Sequence, residues 1–220
     1  ALAKAGKFLM CRILAGCENA AVLEQDSGWY DRLVYAISVD DVGDLKQNDL
    51  SIVTFNYDRS IDYKLHKFVE SHFNLNASKA WNVLLDAIPI IHLHGILGDY
   101  PETCYDNHSN IYERSQSIEI VSEVDAKNKN FTQAIKLLNE AERVVVFGFG
   151  FGEDNVRRLK FFREKGDYNC DIFIAAGPGG GAAKEKQRED DMAKWGLLRK
   201  EHYWSIECER FFGDVGNPFD

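Results

Sequence analysis

Residues 51–60 read SIVTFNYDRS, and this stretch decides the class of fold. Four of its first five side chains are β-branched or aromatic, as is typical of a buried strand. The strand ends at Asn56-Tyr57-Asp58, and residues 60–73 after it have apolar side chains at helical spacing. The apolar run suits the interior of the protein, yet it ends on an amide and a carboxylate. This ending predicts that polar groups are needed where the strand ends.

Further apolar runs alternate with helical patterns along the chain. We predict strands at SIVTFN (51–56), IPIIHLHG (88–95), RVVVFGF (143–149), DIFIAAG (171–177) and HYWSIECE (202–209). The helical patterns after the first strand cover residues 60–73, 77–87, 131–142 and 153–166. Strands separated by helices need right-handed crossovers and form a parallel sheet. The sequence therefore predicts one α/β domain over residues 1–220, with a Rossmann-like parallel sheet and helices on both faces.

The composition is that of a globular protein, with 45% hydrophobic residues. The 26 basic and 35 acidic residues give a net charge of -9. This charge argues against nucleic acid as a partner, because binding to a phosphate backbone depends on basic patches. No apolar run approaches the roughly 20 residues that cross a bilayer, so we expect no membrane partner. The five cysteines form no Cys-x-x-Cys pair, so we expect neither structural zinc nor a disulfide framework, but reduced cysteines in a cytoplasmic protein.

The first residues predict an amphipathic helix with an apolar face of Leu9, Ile13, Cys17 and Ala20. The sequence begins at Ala1 without an initiator methionine and runs directly into this helix. We interpret it as a piece of a longer protein. Further domains of that protein, or identical copies of the chain, are therefore the partners that we expect.

Polar and glycine residues follow the predicted strands at the point where each strand ends. The strand ends carry Asn56-Tyr57-Asp58, then His94-Gly95, and then the glycine-rich segments 148–152 and 177–179. Ligands of open parallel sheets bind outside the carboxyl ends of the strands. We interpret this edge of the sheet as a ligand site, because the co-location of these groups is more informative than any one of them.

Several of these residues also have a purely structural explanation. Gly148, Gly150 and Gly152 would let the backbone approach a phosphate, but they equally suit a tight turn between a strand and a helix. His94 is either a general base or a buried core histidine. Both alternatives stay open for each group.

The remaining polar groups have alternatives of the same kind. Asn56 and Asp58 could cap the helix that follows them, although Asn56 is better placed to face a ligand. His92 and His94 would share one face of a strand, where they could hold a metal ion together with Asp99. The sequence supplies no obvious cluster of further metal ligands.

Three segments resemble a known family in both order and spacing. TFNYD (54–58), IIHLHG (90–95) and VVVFGFGFGEDN (144–155) are similar to the sirtuin-like NAD-binding domains of bacterial antiviral proteins. The resemblance implies a Rossmann-like fold that cleaves the bond between nicotinamide and ribose, with NAD as the substrate. Protein-deacylating sirtuins have two zinc-binding cysteine pairs that this sequence lacks, which favours NAD hydrolysis over deacylation.

The resemblance also implies roles for individual residues. Asn56 matches the family's catalytic asparagine, which positions water or the ribose, and His94 matches its catalytic histidine, which removes a proton. The expected NAD contacts are Thr54, Phe55, Tyr57, Asp58, Gly95, Gly148, Phe149, Gly150, Gly152 and Asn155. Such a site needs no strong nucleophile, because neutral nicotinamide leaves from a cationic pyridinium. The protein has only to hold the ribose and stabilise the developing charge.

One element of the family has no counterpart in this sequence. The family's opening strand and its G-A-G-x-S turn cradle the pyrophosphate, whereas residues 1–20 contain only Gly6 and Gly16. We therefore expect a sheet that lacks its first strand in this chain. Two further hypotheses stay open beside NAD hydrolysis. One is a non-catalytic module that senses NAD or an ADP-ribose derivative, and the other is a metal-dependent hydrolase built on the two histidines.

Overall fold

The structure is a computed structural model, and it describes residues 2–25, 28–120, 128–161, 171–175, 181–197, 203–204 and 208–214. These residues belong to two compact units, unit 1 from Ala1 to Asn130 and unit 2 from Phe131 to Asp220. The predicted glycine-rich turn at 177–179 lies outside the described residues. In the part of the chain that is described, no helix is both long enough and apolar enough to cross a membrane.

Unit 1 contains a pair of short parallel strands together with helices. Its strands are β1 (Ile52–Thr54) and β2 (Ile90–His92). Its helices are α1 (Leu2–Cys17), α2 (Ala20–Gln25), α3 (Trp29–Ile37), α4 (Ser60–His72), α5 (Ala77–Ala87) and α6 (Ile111–Arg114), with a 3₁₀ helix at Val42–Asn48. The next helix, α7 (Lys129–Glu140), begins at the end of this unit.

The two strands of unit 1 fix which residues leave the sheet together. β1 and β2 pair in parallel, and Thr54 lies opposite His92 at their carboxyl ends. The chain between them forms α4 and α5, as a parallel crossover requires. Asn56 and His94 each lie two residues beyond this last pair. The two residues predicted to be catalytic therefore leave the sheet at the same edge.

Helix α1 packs on unit 1 through a different face from the predicted one. Cys11 and Ala15 are buried and pack in a cluster with Ile118. Leu9 and Ile13, two of the residues predicted to form the apolar face, are 57% and 59% exposed. The predicted helix is confirmed, but its predicted apolar face is wrong. The small side chains of Cys11 and Ala15 let the helix backbone approach the rest of the unit closely.

Among the described residues of unit 2, three strands form a parallel sheet in the order β3-β4-β5. The elements are β3 (Arg143–Phe147), α8 (Glu153–Arg158), β4 (Asp171–Ala175), α9 (Gly181–Lys194), β5 (Tyr203–Trp204) and α10 (Cys208–Asp214). Phe147 pairs with Ala175 at the carboxyl end of β3. The ring of Phe147 also packs edge-on against Phe211 of α10, with centroids 5.3 Å apart. The carboxyl end of β3 thus packs against this helix.

The predicted α/β class is confirmed, because parallel strands alternate with helices along the described chain. This parallel pairing occurs in two small sheets, one in each unit. The strands are shorter than predicted, and β2 ends at His92, so His94 lies in a turn rather than in the strand. The expectation that His92 and His94 share one strand face is therefore wrong.

Two predicted element boundaries in unit 2 need correction, and one helix was missed. Helix α8 ends at Arg158 instead of continuing towards residue 166, and Lys160 beyond it has a positive φ of 51°, which a helix does not accept. The last predicted strand included Cys208, where α10 begins. Helix α9 was not predicted, because its sequence is mostly polar and lacks a clear apolar period.

Candidate functional site

The backbone of Asn56 is held on both sides where β1 ends. The hydroxyl of Thr54 accepts a hydrogen bond from the Asn56 N–H at 3.0 Å, which ends the strand. The Asn56 carbonyl accepts a hydrogen bond from Nδ1 of His92 at 2.9 Å. Asn56 as a whole is exposed. The protein therefore fixes the main chain of this residue while the residue itself faces solvent.

His94 lies in a tight turn directly after β2. The N–H of Gly95 donates to the carbonyl of His92 at 3.3 Å, and Gly95 has a positive φ of 81°. A Cβ at this position would lie 2.1 Å from the carbonyl oxygen of Ser117, so the turn requires glycine. His94 is only 3% exposed, and its carbonyl accepts a hydrogen bond from the N–H of Glu119 at 2.7 Å.

The chain beyond β1 meets the chain beyond β2 at the ring of His94. The rings of Phe55 and Tyr57 have their centroids 5.7 Å and 6.2 Å from the centroid of this imidazole. The N–H of Leu97 donates to the carbonyl of Tyr57 at 2.8 Å, which joins the two turns through the backbone. Phe55 and Tyr57 flank Asn56 in the sequence. The structure thus brings the turn that contains Asn56 against the turn that contains His94 in unit 1.

Asp58 has a structural role at the start of α4. Its carboxylate accepts a hydrogen bond at 3.1 Å from the N–H of Ser60, the first residue of the helix. The first N–H groups of a helix have no partner inside the helix, so this bond stabilises the helix start. The interpretation of Asp58 as a helix-capping residue is confirmed.

His92 makes a pair of hydrogen bonds that the sequence did not reveal. Its Nε2 lies 3.0 Å from a carboxylate oxygen of Asp62 on α4, and its Nδ1 binds the carbonyl of Asn56. Both side chains of the pair are buried. Burial has the largest single effect and lowers the pKa of His92, but the hydrogen bond and charge of Asp62, the bond to Asn56 and the charge of Asp58 together outweigh it, so the net shift is upward.

The contacts of His92 argue against the proposed metal site. Both of its ring nitrogens face oxygen atoms of the protein itself. Among the described residues, no group of three His, Cys, Asp or Glu side chains could hold a metal ion. One sequence signal would have pointed to Asp62. It shares a helical stripe with Leu65, His66 and Val69, and all of these residues are buried.

A buried ion-pair network fixes the chain immediately after Asp58. Arg59 is fully buried and binds Glu18, with Nη2 2.6 Å from Oε2. Its guanidinium also donates to the carbonyls of Thr103, Cys104 and Tyr105. Glu18 thereby connects the end of α1 to the start of α4.

Arg114 completes this network from α6. Its Nη2 lies 3.3 Å from the same Glu18 oxygen and also donates to the Leu97 carbonyl. Burial lowers the pKa of Arg114, followed by the effect of the Arg59 charge, whereas Glu18 opposes both. The sequence analysis missed all three network residues, because a buried charge cannot be recognised without its partner.

The glycine-rich turn after β3 belongs to unit 2. Gly148 has a positive φ of 60° and donates its N–H to the carbonyl of Ala175 at 3.0 Å, so it supports the interpretation as a tight turn. Gly150 and Gly152 have no such φ, and a Cβ on either would meet no atom within 4 Å. The described chain itself therefore requires Gly148 to be glycine, but not Gly150 or Gly152.

The aromatic residues of this turn lie between the glycines. The rings of Phe149 and Phe151 are in contact, with centroids 4.9 Å apart, and Phe151 is buried with a positive φ of 50°. Asn155 follows in the first turn of α8 and donates its N–H to the carbonyl of Gly152 at 3.0 Å. Its Oδ1 atom is buried without a hydrogen-bond partner among the described residues.

The parallel α/β architecture and the polar turns at its strand ends define a domain of the nucleotide-binding type. Comparison with known families makes this specific, since the SIR2-like domain matches residues 50–198, more than half of the chain. The protein belongs to the SIR2-like domain family, whose members bind NAD. The match contains every residue predicted for the site. No curated protein and no solved structure matches the chain.

Proposed function

We propose that the protein is an NAD glycohydrolase in which Asn56 and His94 act on the nicotinamide ribose. One observation carries this proposal: the neighbours of Asn56 on both sides, Phe55 and Tyr57, lie against the imidazole of His94. Asn56 and His94 are distant in the sequence, yet they follow two paired parallel strands at the same edge of the sheet. The family to which the chain belongs binds NAD. Such an arrangement suits a reaction that depends on the positioning of the ribose and water and not on a strongly nucleophilic side chain.

In the proposed reaction, water replaces nicotinamide at the anomeric carbon of the ribose. The bond between this carbon and the pyridinium nitrogen breaks, and its electron pair leaves with neutral nicotinamide. The Asn56 amide holds the water or the ribose close to the anomeric carbon, while fixed dipoles stabilise the oxocarbenium-like centre. The His94 imidazole accepts the proton that the attacking water releases. The products are nicotinamide, ADP-ribose and one proton.

Two features of unit 2, taken by themselves, suit a phosphate-containing ligand such as NAD. A Cβ on Gly150 or Gly152 would meet no atom of the described residues within 4 Å, so a pyrophosphate could approach this backbone without meeting a described side chain. The buried Oδ1 of Asn155 lies in the same turn and could accept a hydrogen bond from a ligand hydroxyl. The Phe149 ring adds an apolar surface next to these groups.

One observation favours the second candidate, a module that senses NAD or ADP-ribose without cleaving it. His94 is only 3% exposed, and a general base has to reach the proton that it removes. Under this alternative, His94 is a packing residue between Phe55 and Tyr57, and the glycine-rich turn still binds the ligand. The two candidates differ in whether nicotinamide is released.

The test is to measure nicotinamide release and NAD binding in parallel for the whole chain. We expect the wild type to release nicotinamide, and we expect Asn56→Ala and His94→Ala to bind NAD but to release almost none. The exposed residues Asn82 and His108 provide matched controls, Asn82→Ala and His108→Ala, with the same side-chain changes elsewhere in unit 1. Binding without release by the wild type would establish the sensor instead.

We further propose that this activity serves antiviral defence, as the similarity to defence-associated sirtuin-like domains suggests. A hydrolase of this type would stop viral replication by depleting the NAD of the infected cell. The proposal predicts that cells which produce the wild type lose NAD after viral challenge. Cells which produce Asn56→Ala should keep their NAD, and an equal loss of NAD in both would contradict the proposal.

A further inference from the structure

His92 occupies a position between the two predicted catalytic residues. It is the last residue of β2, two positions before His94, and its Nδ1 binds the carbonyl of Asn56. Its own carbonyl accepts hydrogen bonds from the side-chain amide of Asn130 at 2.7 Å and from the N–H of Gly95 at 3.3 Å. Ring and main chain of one buried residue therefore touch both turns of the site.

The partners of the His92 ring determine which protons it carries. The Asn56 carbonyl accepts hydrogen bonds but cannot donate them, and the same holds for an ionised Asp62 carboxylate. A neutral imidazole has a single N–H and can satisfy only one of these two acceptors. The imidazolium has two N–H groups and satisfies both at 2.9 Å and 3.0 Å. The geometry thus selects the charged form of His92.

The charged groups around this pair favour the same form. Asp62 on α4 and Asp58 before it both interact electrostatically with His92 and raise its pKa, against the opposing effect of burial. Tyr30 on α3 and Tyr100 also interact with Asp62. Burial, followed by the carboxylate charges, raises the pKa of both tyrosines, so they stay neutral where a histidine titrates.

We propose that His92 is a positioning residue for NAD cleavage: held by Asp62, it fixes the main chain of Asn56 and so sets the place of the Asn56 side chain. This inference rests on the proposed function, because it concerns the residue that orients the ribose or water. Thr54 binds the N–H of Asn56, and His92 binds the carbonyl of the same residue. Loss of the His92 bond would let the Asn56 backbone rotate and would move its side chain out of place.

Two substitutions of His92 separate its two hydrogen bonds. In His92→Asn the new amide nitrogen lies near the position of Nδ1 and can still donate to the Asn56 carbonyl. In His92→Gln the amide nitrogen lies nearer the position of Nε2 and can reach only Asp62. The two variants remove the same ring and leave a polar side chain of similar size, so each controls for the other.

We expect His92→Gln to lower kcat for nicotinamide release by about 10²-fold, the cost of misplacing a reacting group by roughly 1 Å. KM should change little, because the groups that bind the rest of NAD are untouched. His92→Asn should keep most of the wild-type kcat. Equal loss in both variants would show that His92 acts only by packing, and it would overturn the inference.

The pH profile supplies a readout that a merely structural role would not change. As pH rises and His92 loses a proton, one of its two hydrogen bonds must break, so kcat of the wild type should fall. In Asp62→Asn the amide can donate to Nε2, and a neutral His92 then keeps its bond to Asn56. We therefore expect Asp62→Asn to lose this alkaline fall in kcat. An unchanged alkaline fall would contradict the inference.

Nuclear magnetic resonance of protein with ¹⁵N-labelled histidine tests the proton arrangement without any assay of activity. We expect His92 to have both ring nitrogens protonated at neutral pH in the wild type, but only one in Asp62→Asn. A single protonated nitrogen in the wild type overturns the inference while NAD hydrolysis stands. No nicotinamide release by the wild type, by contrast, overturns the proposed function and the positioning role together.

Discussion

The turns after β2 and β3 both contain glycine, but they differ in whether the surrounding chain requires it. At Gly95 the protein itself requires it, since a Cβ would lie 2.1 Å from the carbonyl of Ser117. At Gly150 and Gly152 a Cβ would meet no atom of the described residues within 4 Å. The first turn is therefore filled by its own chain, whereas the described residues leave the second one open.

Under the proposed function, this difference separates a residue that shapes the site from residues that contact the ligand. The turn after β2 holds His94 in one position through Gly95, and a change of Gly95 should act first on folding. A change of Gly150 or Gly152 should cost the fold little, so a loss of function there should arise at the ligand. The predictions below test this division, in order of decreasing effect on stability.

The largest effect should come from Gly95→Ala. The added methyl group meets backbone that cannot move aside, and alanine must also adopt a positive φ of 81°. The upper ends of the ranges for backbone strain and overpacking together give a loss of roughly 6 kcal/mol in the free energy of unfolding. Urea denaturation measures this loss. A Gly95→Ala protein of wild-type stability would show that the turn after β2 is as open as the other.

The next effect should come from Glu18→Gln, which leaves the buried guanidiniums of Arg59 and Arg114 without a carboxylate. Removing one partner of a buried ion pair typically costs about 3–5 kcal/mol. We expect a loss of this size in the free energy of unfolding. Lys67→Gln is the control, because it breaks an ion pair with Glu70 on the surface and should change little. Equal effects of both would mean that Glu18 is not needed to hold the start of α4.

A smaller effect should appear in the pH dependence of stability. The pKa of His92 is higher in the folded protein than its ordinary value of 6.5. Its contribution to stability is therefore fully present below pH 6.5 and is lost as pH rises through the folded pKa. We expect the unfolding free energy of the wild type to fall over this window and that of His92→Asn to change less. Parallel curves for the two proteins would contradict this.

The smallest effect on stability should come from Gly150→Ala. Alanine fits the open space and restricts the unfolded chain, so stability should stay equal or rise by about 0.4–1 kcal/mol. NAD binding, measured by calorimetry, should nevertheless weaken, because the methyl group occupies the space proposed for the pyrophosphate. Gly6→Ala on α1 is the control, and it should stabilise the helix without changing NAD binding.

Much of the site could be predicted from local sequence. The β-branched run before Asn56 and the apolar run before His94 predicted two parallel strands, and parallel strands place their carboxyl ends together. That rule alone placed the turn with Asn56 beside the turn with His94. The helix boundaries in unit 2 were harder to predict. The end of α8 depends on the left-handed backbone conformation of Lys160, which the local sequence does not indicate.

The sequence by itself determined the order of the strands and of helices α4, α5, α7 and α8, the polar residues that follow the strands, and the family of the domain. Only the tertiary structure decided that Cys11 and Ala15, rather than Leu9 and Ile13, are buried on α1. It also decided that His92 pairs with Asp62. The physical reason is that apolar periodicity is a local property of the chain. Burial of a charge depends instead on a partner that only folding brings within hydrogen-bond distance.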